Sequence, residues 1–599
     1  SGQYNVALGT EALKGFTTGG SNVAIGYQAA DALTTGGEAV AIGRSALGSA
    51  TTQGRNVAIG YFSAATLTGA SAQYNVFVGD YTGQGGSGNL KRSVAIGYQV
   101  LQSTAGNDVD GAIGIGYQAL NDVTSGDQNI AIGYQAGDAI TTTAGTVSVG
   151  YGALGAISTT GDYSIAIGYG AMGGAEIGDG NIAIGYQSMQ NANAAGFHRN
   201  IAIGYQTMAN VGSNSAADNI AIGYQALNDI NGSALGNVAI GSYSGDAITS
   251  GDYNVSIGEN ALSSVNSGGS NIGIGRLSGA NNTTAGLNMY IGYAAGYSNQ
   301  TGTGNTIVGN NSYGQSVVAG LNISNVTTLG HEAGYYATGS SNTFIGAEAG
   351  KGNTSAPYSS GINNTAVGGD ALKAFTSANS NVAVGYRALD TITTGGANIG
   401  IGQQAGDTLT TGVNNIVIGN AADVASNDNQ FNVILGSSLT ATDKNNAVFI
   451  GNGTNHIEND FNADATWNYS SDVRQKTNIE DDTLGLNFIN KIRPVVYKHK
   501  SPSEFPKEWS SYDENDKEPM GGDKVIHGLI AQEVKEALDE ADVDSFGGWS
   551  VGDDGRQRVS REMFITPLIK SVQELSKKVE NLEEENDELK KLIKDKLGD

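Results

Sequence analysis

Residues 22–27 read Asn22-Val23-Ala24-Ile25-Gly26-Tyr27, and this hexapeptide returns along most of the chain: NVAIGY at 56–61, NIAIGY at 129–134, 181–186, 200–205 and 219–224, NVAVGY at 381–386. Val or Ile stands three residues and one residue before the glycine, with a third residue between them. That is the period-2 pattern of a short strand, with Val23 and Ile25 on one face and Ala24 on the other. The glycines that close the units run from Gly9, Gly26 and Gly43 to Gly436 and Gly451, 26 copies spaced mostly by 17 to 19 residues. Such a period marks a solenoid, whose single coil buries too little apolar surface and gains stability by stacking. After each hexapeptide come Ala and Leu and then a Thr/Gly turn, as in QAADALTTGG at 28–37. The reading is two short strands and two turns per coil, stacked at about 4.8 Å into a rod of roughly 120 Å.

The surrounding composition agrees. The chain has 599 residues, 90 Gly, six Pro, no Cys and a net charge of −26, which excludes disulfide scaffolds and Cys-ligated metal sites. Residues 1–470 hold 39 charged residues, 81 Gly and one Pro; residues 471–599 hold 49 charged residues, nine Gly and five Pro. Two kinds of structure therefore meet near residue 470. Both parts are acidic, −17 and −9, so neither nucleic acid nor an anionic membrane is an expected partner. No run of 18 apolar residues exists and the start SGQYNVALGT lacks a signal peptide's pattern, so no membrane insertion is expected. The first residue is not Met, which fits a processed chain or an excised segment and leaves room for an attachment region ahead of it. The five His are dispersed and no GGxGxD nonapeptide recurs, so no metal and no cofactor are expected.

The repeat resembles the left-handed parallel β-roll heads of trimeric autotransporter adhesins and related repeats of bacteriophage tail fibres. The resemblance implies a homotrimer whose narrow rolls pack around a threefold axis. The residue two before the glycine, from Ala7 and Ala24 to Ala221 and Ala239, is small enough for close approach of chains. From about residue 290 it turns bulky (Tyr290, Ile307, Phe344, Val417, Ile434, Phe449), so the rolls are expected to separate or pack differently there. The unit is longer than in those heads, and a triple-stranded β-helix is the alternative packing. Tyr follows the glycine in twelve units, from Tyr27 to Tyr386. Inter-coil stacking is the favoured reading of that ladder and a glycan-binding platform the other. The Asn that opens many units reads as a hydrogen-bonded ladder.

The last 129 residues carry four blocks in order: NYSSDVRQKTNI at 468–479, LGLNFINKIRPVVYKHK at 484–500, VIHGLIAQEVKEAL at 525–538 and REMFITPLIKSVQEL at 561–575. Together they resemble the intramolecular chaperone domain of phage tail spikes and fibres, the endosialidase-type self-cleaving serine peptidase family. That resemblance implies a domain that trimerises, guides folding of the fibre ahead of it and cleaves the chain before the Ser of its Ser-Asp motif. Carried over, the scissile bond is Ser470–Ser471, Ser471 is the nucleophile, Asp472 its motif partner and Lys476 the base. A Ser hydroxyl is a poor nucleophile until a neighbour accepts its proton, and a Lys does so when its pKa is lowered. Arg474 either depresses that pKa or serves as a salt-bridge partner. The plainer alternative makes SDVRQK an exposed linker turn.

Helical period returns at the end, with Ile565, Val572, Val579, Asn586 and Ile593 at heptad a and Leu568, Leu575, Leu582, Leu589 and Lys596 at d. This spells a coiled coil of four to five heptads in which Asn586 fixes register; an Asn at a is commoner in dimers, but the repeat points to three chains. The expected architecture is mainly β: a β-roll or β-solenoid fibre shaft and distal tip over 1–470, a small α+β chaperone core over 471–561, and a helix and trimeric coiled coil over 562–599. The expected protein is a structural and adhesive phage tail fibre with a tip near 437–470 that includes Trp467. It would assemble in the host cytoplasm and serve on the virion tail. Its partners would be two further copies, other virion tail proteins and a host cell-surface receptor such as a glycan. A bacterial trimeric surface adhesin and a polysaccharide-degrading tail spike are the alternatives; the spike needs paired carboxylates in a groove. The only enzymatic step expected is a single-turnover serine autoproteolysis.

Overall fold

A computed structural model describes residues 2–598 apart from 105–106, 157–160, 175, 195, 213–214, 315–319, 356, 462–470, 510, 520–521 and 553–554. The chain divides into two compact units, 1–469 and 470–599.

The first unit is a β-solenoid. Each coil contributes one strand, mostly of three residues, to a single 27-stranded sheet. Successive strands pair parallel with repeat positions in register, Val23 opposite Val40, Ala24 opposite Ala41 and Ile25 opposite Ile42. The coils stack within one chain, which sets the interleaved triple-stranded β-helix aside. The expected second strand of each coil is largely replaced by stacked turns. Short pairs form only at Leu90–Lys91 with Val109–Asp110 and at Glu176–Ile177 with Asn193–Ala194, together with isolated bridges, among the described residues. The reason is local: after the closing glycine the backbone enters the left-handed region at Gln28 (φ 56) and again at Ala30 (φ 50), which breaks any extended run.

The closing glycine is fixed by two requirements at once. Gly26 has φ 131, a region closed to L side chains, and a Cβ there would overlap the backbone of Gly43 in the next coil. Its equivalents repeat the geometry, which is why this position stays glycine through all 26 units.

The faces of the strand are the reverse of what close approach of chains through alanine requires. Ala24, Ala41 and Ala58 lie inside the coil, fully buried with Ala29 and Leu33 of the turn side, while Val23 and Ile25 face outward. Turn-side residues such as Leu33 share this narrow buried interior, so the strand contributes alanine. The bulky positions obey the same volume rule and point into their own coil, not toward a neighbouring chain: Phe77, Tyr290 and Phe344 are fully buried, and each ring lies where a glycine of the turn side (Gly83, Gly296 and Gly350) leaves room for it. Conversely Gly273 and Gly400 sit on the strand where Leu262 and Leu389 fill the interior.

Two ladders tie the coils together. The opening asparagines are buried, and Asn237 shows the pattern: its backbone N–H and its Nδ2–H both donate to Asn219 Oδ1 (2.9 and 3.0 Å), and Nδ2 also donates to Gly251 O at 2.9 Å. Links of this kind run unbroken from Asn181 to Asn305. The tyrosines stack from Tyr98 to Tyr224 with ring centroids 4.9–5.3 Å apart and planes within 14°. Their faces are covered by one another, which favours inter-coil stacking over a platform for sugar rings. At the far end the Ala447–Asn452 strand pairs antiparallel with His456–Asp460, and parallel stacking stops there.

The second unit is small and mixed. It contains helices α1 (Leu486–Lys491), α2 (Ala531–Asp539) and α3 (Ile565–Leu597) and two short hairpins, Val495–Tyr497 with Ile526–Gly528 and Trp549–Val551 with Gln557–Val559. Its core joins Leu484, Phe488 and Ile492 to Val534, Leu538 and Phe564, with Phe546 packed edge-on against Phe488. No helix among the described residues is long and apolar enough to cross a membrane.

Candidate functional site

The Ser-Asp motif begins a tight turn. Asp472 caps the 3-10 turn Val473–Gln475: its Oδ1 accepts the Arg474 N–H at 2.9 Å, and the Arg474 guanidinium closes on the same carboxylate at 2.5 Å. Those bonds from Arg474 hold the Asp472 carboxyl below the ordinary carboxylate range. Arg474 is thereby the salt-bridge partner of Asp472, and Asp472 shapes the turn.

The turn folds the chain back so that Lys476, five residues on, places its Nζ 2.6 Å from Ser471 Oγ. Both side chains are exposed. This is hydrogen-bond reach for proton transfer: the ammonium donates to the hydroxyl, and the neutral amine can take the hydroxyl proton. The structure thus brings Ser471 and Lys476 together and gives Asp472 a capping role. Ser470 and Trp467 lie outside the described residues.

Downstream, the segment is exposed from Val473 to Thr483 and becomes buried at Leu484 and Gly485, just before α1. Gly485 caps α1 without a side chain. The missing acceptor comes from α3: Glu574 Oε2 accepts the Leu486 N–H at 2.8 Å. Nothing in the local sequence announces this contact, because its partners stand 88 residues apart.

On α3, Val572, Leu575, Val579, Leu582, Leu589 and Ile593 are all between 46% and 64% exposed, on one stripe with the exposed Asn586. Among the described residues no group of three or more His, Cys, Asp or Glu is arranged to hold a metal ion.

Residues 471–543 match the family described as chaperone of endosialidase. The match starts at Ser471 and takes in Lys476, α1 and α2. No curated protein and no solved structure matches the chain. A long β-solenoid shaft followed by an endosialidase-type chaperone domain fits a structural protein of the tail-fibre or tail-spike kind with an intramolecular chaperone. Within the chaperone domain, the LGL block now has a physical reading: Leu484 enters the core, Gly485 leaves space for the Glu574 carboxylate, and Leu486 donates to it.

Proposed function

We propose that three copies of this chain form a phage tail fibre, registered by the chaperone domain and then released from it by cleavage between Ser470 and Ser471. The observation that carries this reading is the outward apolar stripe of the shaft. Ile96, Ile132, Ile167, Ile222, Ile240, Ile274, Ile401 and Ile418 are each more than a third exposed, in line on one sheet face. A contiguous apolar strip of that length exceeds what a lone soluble chain exposes. Three shafts close it around an axis, and the apolar stripe of α3 closes in the same way as a coiled coil.

The cleavage uses what the turn supplies. Lys476, as the free amine, takes the Ser471 Oγ proton, and Oγ attacks the carbonyl carbon of residue 470. The peptide C–N bond breaks, the departing α-amine of Ser471 gains a proton, and residue 470 is held as an ester on Ser471 Oγ. Water then hydrolyses the ester, leaving a carboxylate on the shaft and the hydroxyl on Ser471. The mature shaft presents its distal tip, near 437–470, to a host cell-surface receptor such as a glycan, while other tail proteins hold its opposite end on the virion.

Intact mass and a denaturing gel test this on the wild-type chain, Ser471→Ala and Lys476→Ala. The wild type yields a 1–470 fragment; Ser471→Ala stays whole, and Lys476→Ala is slowed by about 100-fold or more. Trimers that remain full length in all three overturn the cleavage.

A further inference from the structure

We propose that Glu574 is the positioning residue through which assembly of the C-terminal helix sets the Ser471–Lys476 pair. This rests on the cleavage reading above. Two anchor points join α1 to α3. One is apolar, where Phe488 stacks on Phe564 at the entry to α3 with ring centroids 6.2 Å apart. The other is polar, the 2.8 Å bond from Leu486 N–H to the Glu574 carboxylate. Gly485 makes room for it, because a Cβ there would overlap that carboxylate and displace it.

The polar anchor is where the exposed stretch that follows the Ser-Lys pair becomes fixed. From Val473 to Thr483 every residue is exposed, and the first buried positions are Leu484 and Gly485. Glu574 in turn directly precedes Leu575, which lies 49% exposed on the stripe that faces the other copies in the proposed trimer. Glu574 itself is half-buried while its neighbours Val572, Gln573 and Leu575 to Glu580 are open or partly open to solvent. Pairing of α3 therefore immobilises the acceptor, the acceptor immobilises the N-terminus of α1, and the turn holding Ser471 against Lys476 gains a fixed downstream end. The consequence is order: chains cut themselves after they have assembled.

The test uses the full-length chain with Glu574→Ala, Glu574→Gln and Gly485→Ala. Trimer content is measured by sedimentation, release of 1–470 by a mass time course, and protection of the Leu486 amide and of 471–485 by hydrogen exchange. Glu574→Ala is expected to form trimers, cut about 10-fold more slowly and lose protection at Leu486. Glu574→Gln, whose amide oxygen still accepts, restores cutting to within about threefold. Gly485→Ala leaves α3 unchanged, displaces the carboxylate and reproduces the slow phenotype even if Glu574→Ala fails to assemble. Wild-type cutting and wild-type protection in Glu574→Ala or Gly485→Ala overturn the proposal. If the wild type itself is never cut, the cleavage reading falls, and unchanged protection of 471–485 in the variants overturns the positioning role separately.

Discussion

Asp246 stands on a turn of the shaft with one carboxylate oxygen buried and without a hydrogen-bond partner, one coil away from Asp229. Burial, reinforced by the Asp229 charge, pushes its carboxyl up to about 6. Asp138 beside Asp122 is pushed up to about 6 in the same way, and Asp423 is pushed up to about 6 by burial and by a hydrogen bond shared with Asp407. The sign follows from linkage: an unfolded Asp titrates near about 3.9, so between that value and about 6 the folded shaft binds more protons than the unfolded chain. The stability contributed by the protonated form is full below the unfolded value and is lost as pH rises through about 6. Thermal melts of the shaft are therefore expected to fall from pH 4.5 to 6.5 and flatten above, the window set by those shifts. Asp246→Asn should raise the midpoint at pH 7.5 and make the profile shallower. A variant that tracks the wild type at every pH would remove Asp246 from this account.

At the scale of the element, the strand is defined by one small face and one branched face. Ala202→Leu adds volume to the closed interior of a coil and is expected to destabilise the single chain by about 1–3 kcal/mol. Ile203→Ser changes the outward face: the coil is expected to keep its circular dichroism and the proposed trimer to weaken, by up to about 1.5–3 kcal/mol for each buried isoleucine lost. Sedimentation and chemical denaturation of the two variants separate these outcomes, and equal loss of monomer stability in both would return Ile203 to the interior. The same residues show how far the sequence could be read. Alternation of Val23, Ala24 and Ile25 gives a strand at sight, and the period gives the solenoid. Which face is interior was not legible, because the usual rule places the larger apolar residue inside, and here turn-side residues such as Leu33 already occupy the narrow interior. In the C-terminal unit the Ser471–Lys476 spacing could be found from the motif, whereas Glu574 could not: a capping acceptor supplied from another helix leaves no local pattern.

For the whole molecule, in-register stacking of 26 similar coils is the difficulty. In the proposed trimer a shift by one whole coil keeps asparagine opposite asparagine and glycine opposite glycine, so the energy gap against misregistered assemblies is small, and interchain contacts form slowly. Residues 1–470 expressed without the C-terminal unit are expected to give polydisperse assemblies by sedimentation and electron microscopy, whereas the full chain gives one species. Uniform in-register trimers from 1–470 alone would dispense with the chaperone. The asparagine ladder adds one property of a different kind. From Asn200 to Asn305 every side-chain amide donates to the coil before it and accepts from the coil after it, so the amide dipoles all point the same way. The column behaves like a poled ferroelectric one unit wide: reversing a single amide creates a domain wall with two donors facing each other on one side and two acceptors on the other. Such a wall is costly where no water can enter. The fibre is thereby given an electrical direction along its length, and a coil whose amide faced the wrong way would carry the penalty of such a wall.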